Sequence, residues 1–170
     1  MTSNTENKDS RLIPVLREGI AVIQMIVFKE LKKSVQKKYS DLNGSAQTML
    51  AGAITNELFD SHNTEEKFEN FRKKYRGSIE QELLDLKNSS PQLIGPLSDA
   101  LRVQALCDNQ EGADSSHILQ QADSFGILPP DRELPLPSIF METVRKLGSE
   151  HNLIIPPVEI DSTEEQALLQ

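Results

Sequence analysis

The chain has 170 residues, 37% of them hydrophobic, and a formal charge of −8. One domain of this length buries roughly 70% of the surface its unfolded chain would expose, so size alone demands neither disulfide nor metal. The apolar content excludes wholesale disorder, the lone Cys107 excludes an internal disulfide, and the longest uncharged apolar run near the N-terminus, Gly19 to Phe28, is too short to span a bilayer.

Residues 1–10 are polar, lack the apolar stretch of a signal peptide and read as a disordered tail. With the unpaired thiol, they point to a cytoplasmic protein. From Pro14, Leu16, Ile20, Ile23, Val27, Leu31 and Val35 recur at three- and four-residue intervals as far as Tyr39. The spacing predicts a helix of about 25 residues, and its all-round apolar middle, IAVIQMIVF, makes it the central helix of the core.

The stretch LNGSAQTMLAGAITNELF predicts a second helix from about Asn43 to Asp60. One face is Ala46, Met49, Leu50, Ala53, Ile54 and Leu58; the other is Ser45, Thr48, Gly52, Thr55 and Phe59. Small uncharged residues on that second face let another backbone approach closely, and a mid-helix glycine costs about 1 kcal/mol against alanine. Ser45, Thr48, Gly52 and Thr55 are therefore the candidate subunit-contact face of a homodimer, the alternative being a helix enclosed on both faces within one subunit.

Further helices follow in order. Asn63 with Glu66 forms a capping-box pattern ahead of Phe68, Phe71 and Tyr75, closed by Gly77. Ser78 with Gln81 opens a helix carrying Ile79, Leu83 and Leu86. Ser90-Pro91 starts another, which Gly95-Pro96 is expected to interrupt before Leu97, Leu101, Ala105 and Leu106 resume it. Residues 108–115 read as a loop, 116–126 as a short helix, ILPPDRELPLP as an extended connector, and Ser138 as the start of a helix presenting Phe140, Val144 and Leu147. The tail from Pro156 reads as acidic and flexible. The fold class expected is all-α: a single bundle of six or seven helices over 11–155 around the long N-terminal helix.

Charge is unevenly placed. Residues 1–76 hold 13 cations against 10 anions, and 77–170 hold five against 16. Lys29, Lys32, Lys33 and Lys37 on one helix, with Arg72, Lys73 and Lys74, form a candidate basic partner surface. The lysine helix lacks the interleaved aromatics that stack bases, so a solvated or internally paired face ranks above nucleic-acid binding.

Catalytic motifs are missing: no P-loop, GxGxxG, HExxH, CxxC or GxSxG occurs. Asp60, His62, Glu65 and Glu66 are the densest set of possible metal ligands, but without a recognised ligand spacing they read as a capping region. Ser115-Ser116-His117 reads as a serine cap rather than a nucleophile and base, and Cys107 as a buried structural thiol. The run VRKLGSEHNLIIPP, Val144 to Pro157, resembles a helix-to-loop segment in the α-helical domain of ketopantoate reductase-like dehydrogenases. The resemblance covers 14 residues, lacks the glycine motif of their nucleotide-binding half, and carries over no catalytic residue.

The functional expectation is a non-enzymatic interaction or regulatory protein, metal-independent and without cofactor, pairing with itself or with another protein and not with a membrane. The alternative is an enzyme or small-ligand binder with a pocket between helices, its polar groups coming from Gln24, Gln47, Thr48 or Thr55. Nucleic-acid binding through the lysine face is the third reading.

Overall fold

The apolar stripe of the N-terminal helix organises the molecule. The computed structural model describes residues 3–59, 80–124, 126–127 and 133–169, with side chains from Arg11 onward except at 117, 121 and 124. Helix α1 runs Ser3–Lys38, 36 residues. Leu16, Ile23, Ile26, Val27, Leu31 and Val35 along it are each no more than 1% exposed. Burial on that scale stabilises by about 1.5–3 kcal/mol per large side chain, which explains why the apolar middle sits at the centre and not at an edge.

The other helices are α2 (Gly44–Leu58), α3 (80–89), α4 (Pro91–Gln110), α5 (Ser116–Ser124), α6 (Pro137–Glu150) and α7 (Ser162–Leu169). Among the described residues the fold is an all-helical bundle of seven helices with no strand. Helix α1 packs against α2, α4, α6 and α7, and α4 adds contacts to α5 and α6. Leu50, Ile54 and Leu58 of α2, Leu97 and Leu101 of α4, and Phe140 and Val144 of α6 close the core around it. Asn43 starts α2 by accepting the Ala46 N–H at 2.8 Å. Buried Glu82 of α3 is satisfied from α1, where Ser34 Oγ and Lys38 Nζ both donate to it at 3.1 Å.

Several expectations differ from the structure. Helix α1 begins at Ser3, inside the stretch read as a disordered tail. Gly95-Pro96 does not interrupt α4, which also runs past the expected loop start at 108. A proline removes one N–H and crowds the preceding Cβ; Gly95 has no Cβ to crowd, so only the bond to the Gln92 carbonyl is lost. Phe59, placed on the small face of α2, is fully buried at the helix C-cap, where the regular 100° rotation has ended. The tail from Pro156 is not wholly loose, since α7 packs on α1 with Leu168 2% exposed. Helix α6 starts one residue early, at Pro137, a position where a missing N–H costs nothing. The capping box at Asn63 and Glu66, the Phe68/Phe71/Tyr75 face, and Gly77 to Ile79 lie outside the described residues.

Candidate functional site

Helix α6 ends in a Schellman turn. Leu153 N–H donates to Gly148 O at 2.8 Å and Asn152 N–H to Ser149 O at 3.1 Å, with Asn152 at φ 63. Asparagine is the non-glycine residue that tolerates this left-handed conformation best. The turn sends the chain back along α6 as an extended segment. Leu153 and Ile155 face inward and are half-buried, while Ile154 faces out and is 98% exposed. Gly148 permits the approach: a Cβ there would collide with Ile155 Cδ1.

Grooves flank this segment. One of about 220 Å³ is lined by Ser138, Met141, Arg145, Pro156, Pro157 and Val158. A second, of about 570 Å³, lies beside Lys146, Ser149, Glu150, Leu153, Ile154 and Ile155, and the two meet at Glu142 and Arg145. Exposed Ile154 and Val158, with exposed Pro156 and Pro157 between them, make an apolar ridge. Ile139, half exposed, stands one helical turn before Glu142. Glu142, Arg145, Lys146, Glu150 and Glu159 around the ridge make no ion pair among the described residues. The sequence hides this ridge because it straddles the expected end of the domain at 155 and the start of the flexible tail at Pro156; the Schellman turn decides which of its apolar residues face out.

A smaller pocket of about 160 Å³ lies between α1, α2 and α4, lined by Arg17, Ile20, Gln24, Phe59 and Gln104. Gln104 Nε2 donates to Phe59 O at 2.8 Å, satisfying a carbonyl at the end of α2. Arg17 Nη2 donates to Asp108 Oδ1 at 2.8 Å and also pairs with Glu111. Burial alone would lower the Arg17 pKa, but the hydrogen bonds to Asp108 and Glu111 outweigh it and hold the guanidinium above its ordinary value. Of the polar groups expected in an interhelical pocket, Gln24 lines this one. Gln47 and Thr55 are spent locally, Gln47 Nε2 on Tyr39 O and Thr55 Oγ1 on Ala51 O, and Thr48 is exposed.

The candidate subunit face of α2 is graded: Ser45 and Thr48 are exposed, Gly52 is half-buried and Thr55 is buried. On the basic face Lys29, Lys33 and Lys37 are exposed and Lys32 is half-buried; Lys33 pairs with Glu30 at 3.3 Å, and Lys38 is committed to Glu82 and Asp85. Arg72, Lys73 and Lys74 lie outside the described residues, as do Asp60, His62, Glu65 and Glu66. Among the described residues no three His, Cys, Asp or Glu gather as metal ligands, and no helix is long and apolar enough to cross a membrane. At the start of α5 Ser115 stands at the N-cap position, its carbonyl accepting the Leu119 N–H at 3.5 Å, and Asp114 takes the Ser116 N–H at 3.0 Å and its hydroxyl at 2.7 Å. Cys107 is fully buried, and burial pushes its pKa up to about 11 against the opposing pull of Arg17.

No family model, curated protein or solved structure matches the chain.

Proposed function

We propose that the protein is a non-enzymatic helical interaction protein that pairs with a second copy through the ridge of Ile154 and Val158. The observation carrying this reading is Ile154, 98% exposed at the crest of an apolar strip. An isolated exposed isoleucine is ordinary, but a contiguous apolar patch beside grooves marks an interaction site. The unpaired charges around it include both signs. A partner of one sign would meet like charge somewhere, whereas a surface turned about a two-fold axis can set its cations against its own anions. A cytoplasmic location belongs to the same reading, supported by the single buried thiol.

Native mass spectrometry of the wild type and of Ile154→Asp tests the reading. Dimer in the first and monomer in the second is expected; a wild-type monomer at tens of micromolar contradicts it. Gly52→Leu separates the two candidate faces, because it splits a dimer only if the small face of α2 is the contact.

A small-ligand reading has one observation in its favour, the pocket where Arg17, Gln24 and Gln104 converge on the apolar wall of Ile20 and Phe59. A retained small molecule in the same spectra, lost in Gln24→Leu, would favour it.

A further inference from the structure

The ridge rides on an arm that packs on the core through half-buried Leu153, Ile155 and Ile160, with no fully buried side chain between 153 and 160. From Ile154 to Ile160 the arm makes no hydrogen bond among the described residues. Unfilled space lies on both sides of it: the two grooves along α6, and a third pocket of about 100 Å³ where Ile155, Pro156 and Val158 lie over Gly19, Val22 and Val144. At its far end α7, eight residues long, is anchored by few groups. Leu168 is its one fully buried apolar side chain. Gln110 Nε2 donates to Leu168 O at 3.2 Å, and Glu165 Oε2 accepts the Ser138 N–H at 2.7 Å. Arg11 pairs with Glu164 at 2.6 Å, but the Arg11 side chain is 68% exposed, so water weakens that bond.

Beneath the arm, by contrast, Val144 is fully buried and α1 and α6 are packed together. Detaching the arm breaks no helix of the bundle. The Schellman turn at Asn152 is the natural pivot, since rotation at one left-handed residue redirects everything after it.

We infer that residues 153–169 form a strap that opens as a unit about Asn152, uncovering an apolar groove between α1 and α6 while the bundle stays folded. This goes beyond the pairing reading and stands on separate observations. Parts of a fold held by few apolar contacts open well below the free energy of global unfolding.

A thiol placed under the strap reports opening, with Cys107 as internal control for the core. In full-length Val144→Cys, the introduced thiol should react with an aromatic disulfide reagent at least about tenfold faster than Cys107. Adding Leu168→Ala, which weakens the anchor, should raise the rate of the introduced thiol at least about tenfold further and leave Cys107 unchanged. Equal rates at the two thiols, or parallel acceleration of both by Leu168→Ala, would show that the strap leaves only with the whole fold. Repeating the rates in an Ile154→Asp background distinguishes strap opening from loss of the pairing. Should Val144→Cys fail to fold, hydrogen exchange of the wild type decides: amides of α7 exchange at least about a hundredfold faster than those of Leu97 to Leu106 if the strap opens, and equally slowly if it does not.

Discussion

At the scale of residues, the best-read positions are those where the helical period and the core coincide. Ile23 is expected at the centre of the apolar stripe and is 1% exposed. Ile23→Ala should therefore cost about 2–5 kcal/mol in chemical denaturation; a loss under about 0.5 kcal/mol, the level of surface positions, would contradict its core placement. Gly19 escapes a reading of the sequence, because nothing there distinguishes a glycine needed for close approach from one that merely ends a pattern. A Cβ there would lie 2.7 Å from Met141 Sδ and 3.1 Å from Phe140 Cε2, so this glycine sets the distance between α1 and α6. Gly19→Val should overpack that contact and destabilise by about 1–3 kcal/mol, read as a lowered urea midpoint. Cys107 gives a pH dependence of definite sign. Its thiol is favoured neutral in the folded state, with a pKa of about 11 against 9.0 for the unperturbed group. Its contribution is complete below the unfolded value and is lost as pH rises through the folded one. The stability of the wild type should fall more steeply than that of Cys107→Ala between pH 9 and 11, and parallel curves would contradict the assignment.

At the scale of elements, the sequence is legible where local chemistry is enough and opaque where a distant group is required. Asn43 caps α2 through its own side chain, and the helix start can be read. The start of α6 has no local side-chain cap; it uses Glu165, 27 residues on, which no sequence window around Pro137 reveals. For the same reason STEEQALL reads as a loose acidic tail: two leucines among acids give no amphipathic stripe, and α7 is held in place by Arg11 and the α6 N-terminus. Glu165→Ala should then remove a cap worth about 1 kcal/mol. Its signature is faster hydrogen exchange in the first turn of α6 with α4 unchanged. Gly95-Pro96 shows the converse: a breaker signal loses force when the residue before the proline has no Cβ.

At the scale of the whole molecule, the all-helical bundle and its central helix are legible because helical spacing and capping signals recur along the chain and α1 is apolar on nearly every side of its middle. The proposed pairing surface is not. Its apolar residues straddle the expected end of the domain at 155, and which of them face out follows from the left-handed turn at Asn152, an asparagine that marks where the helix can stop but not how the chain packs afterwards. The small face of α2 is legible as a surface without charge, and two of its four residues are open to solvent. Self-association therefore has two candidate faces, of which the ridge is the more apolar. Light scattering coupled to gel filtration, run over a concentration series on the wild type and on Ile154→Asp, bears most directly on the proposed pairing. Twice the chain mass of 19.0 kDa for the wild type at tens of micromolar, with the substituted protein at the single-chain mass, is the predicted result. A wild type that stays at 19.0 kDa throughout, or an Ile154→Asp protein that remains dimeric, would contradict it.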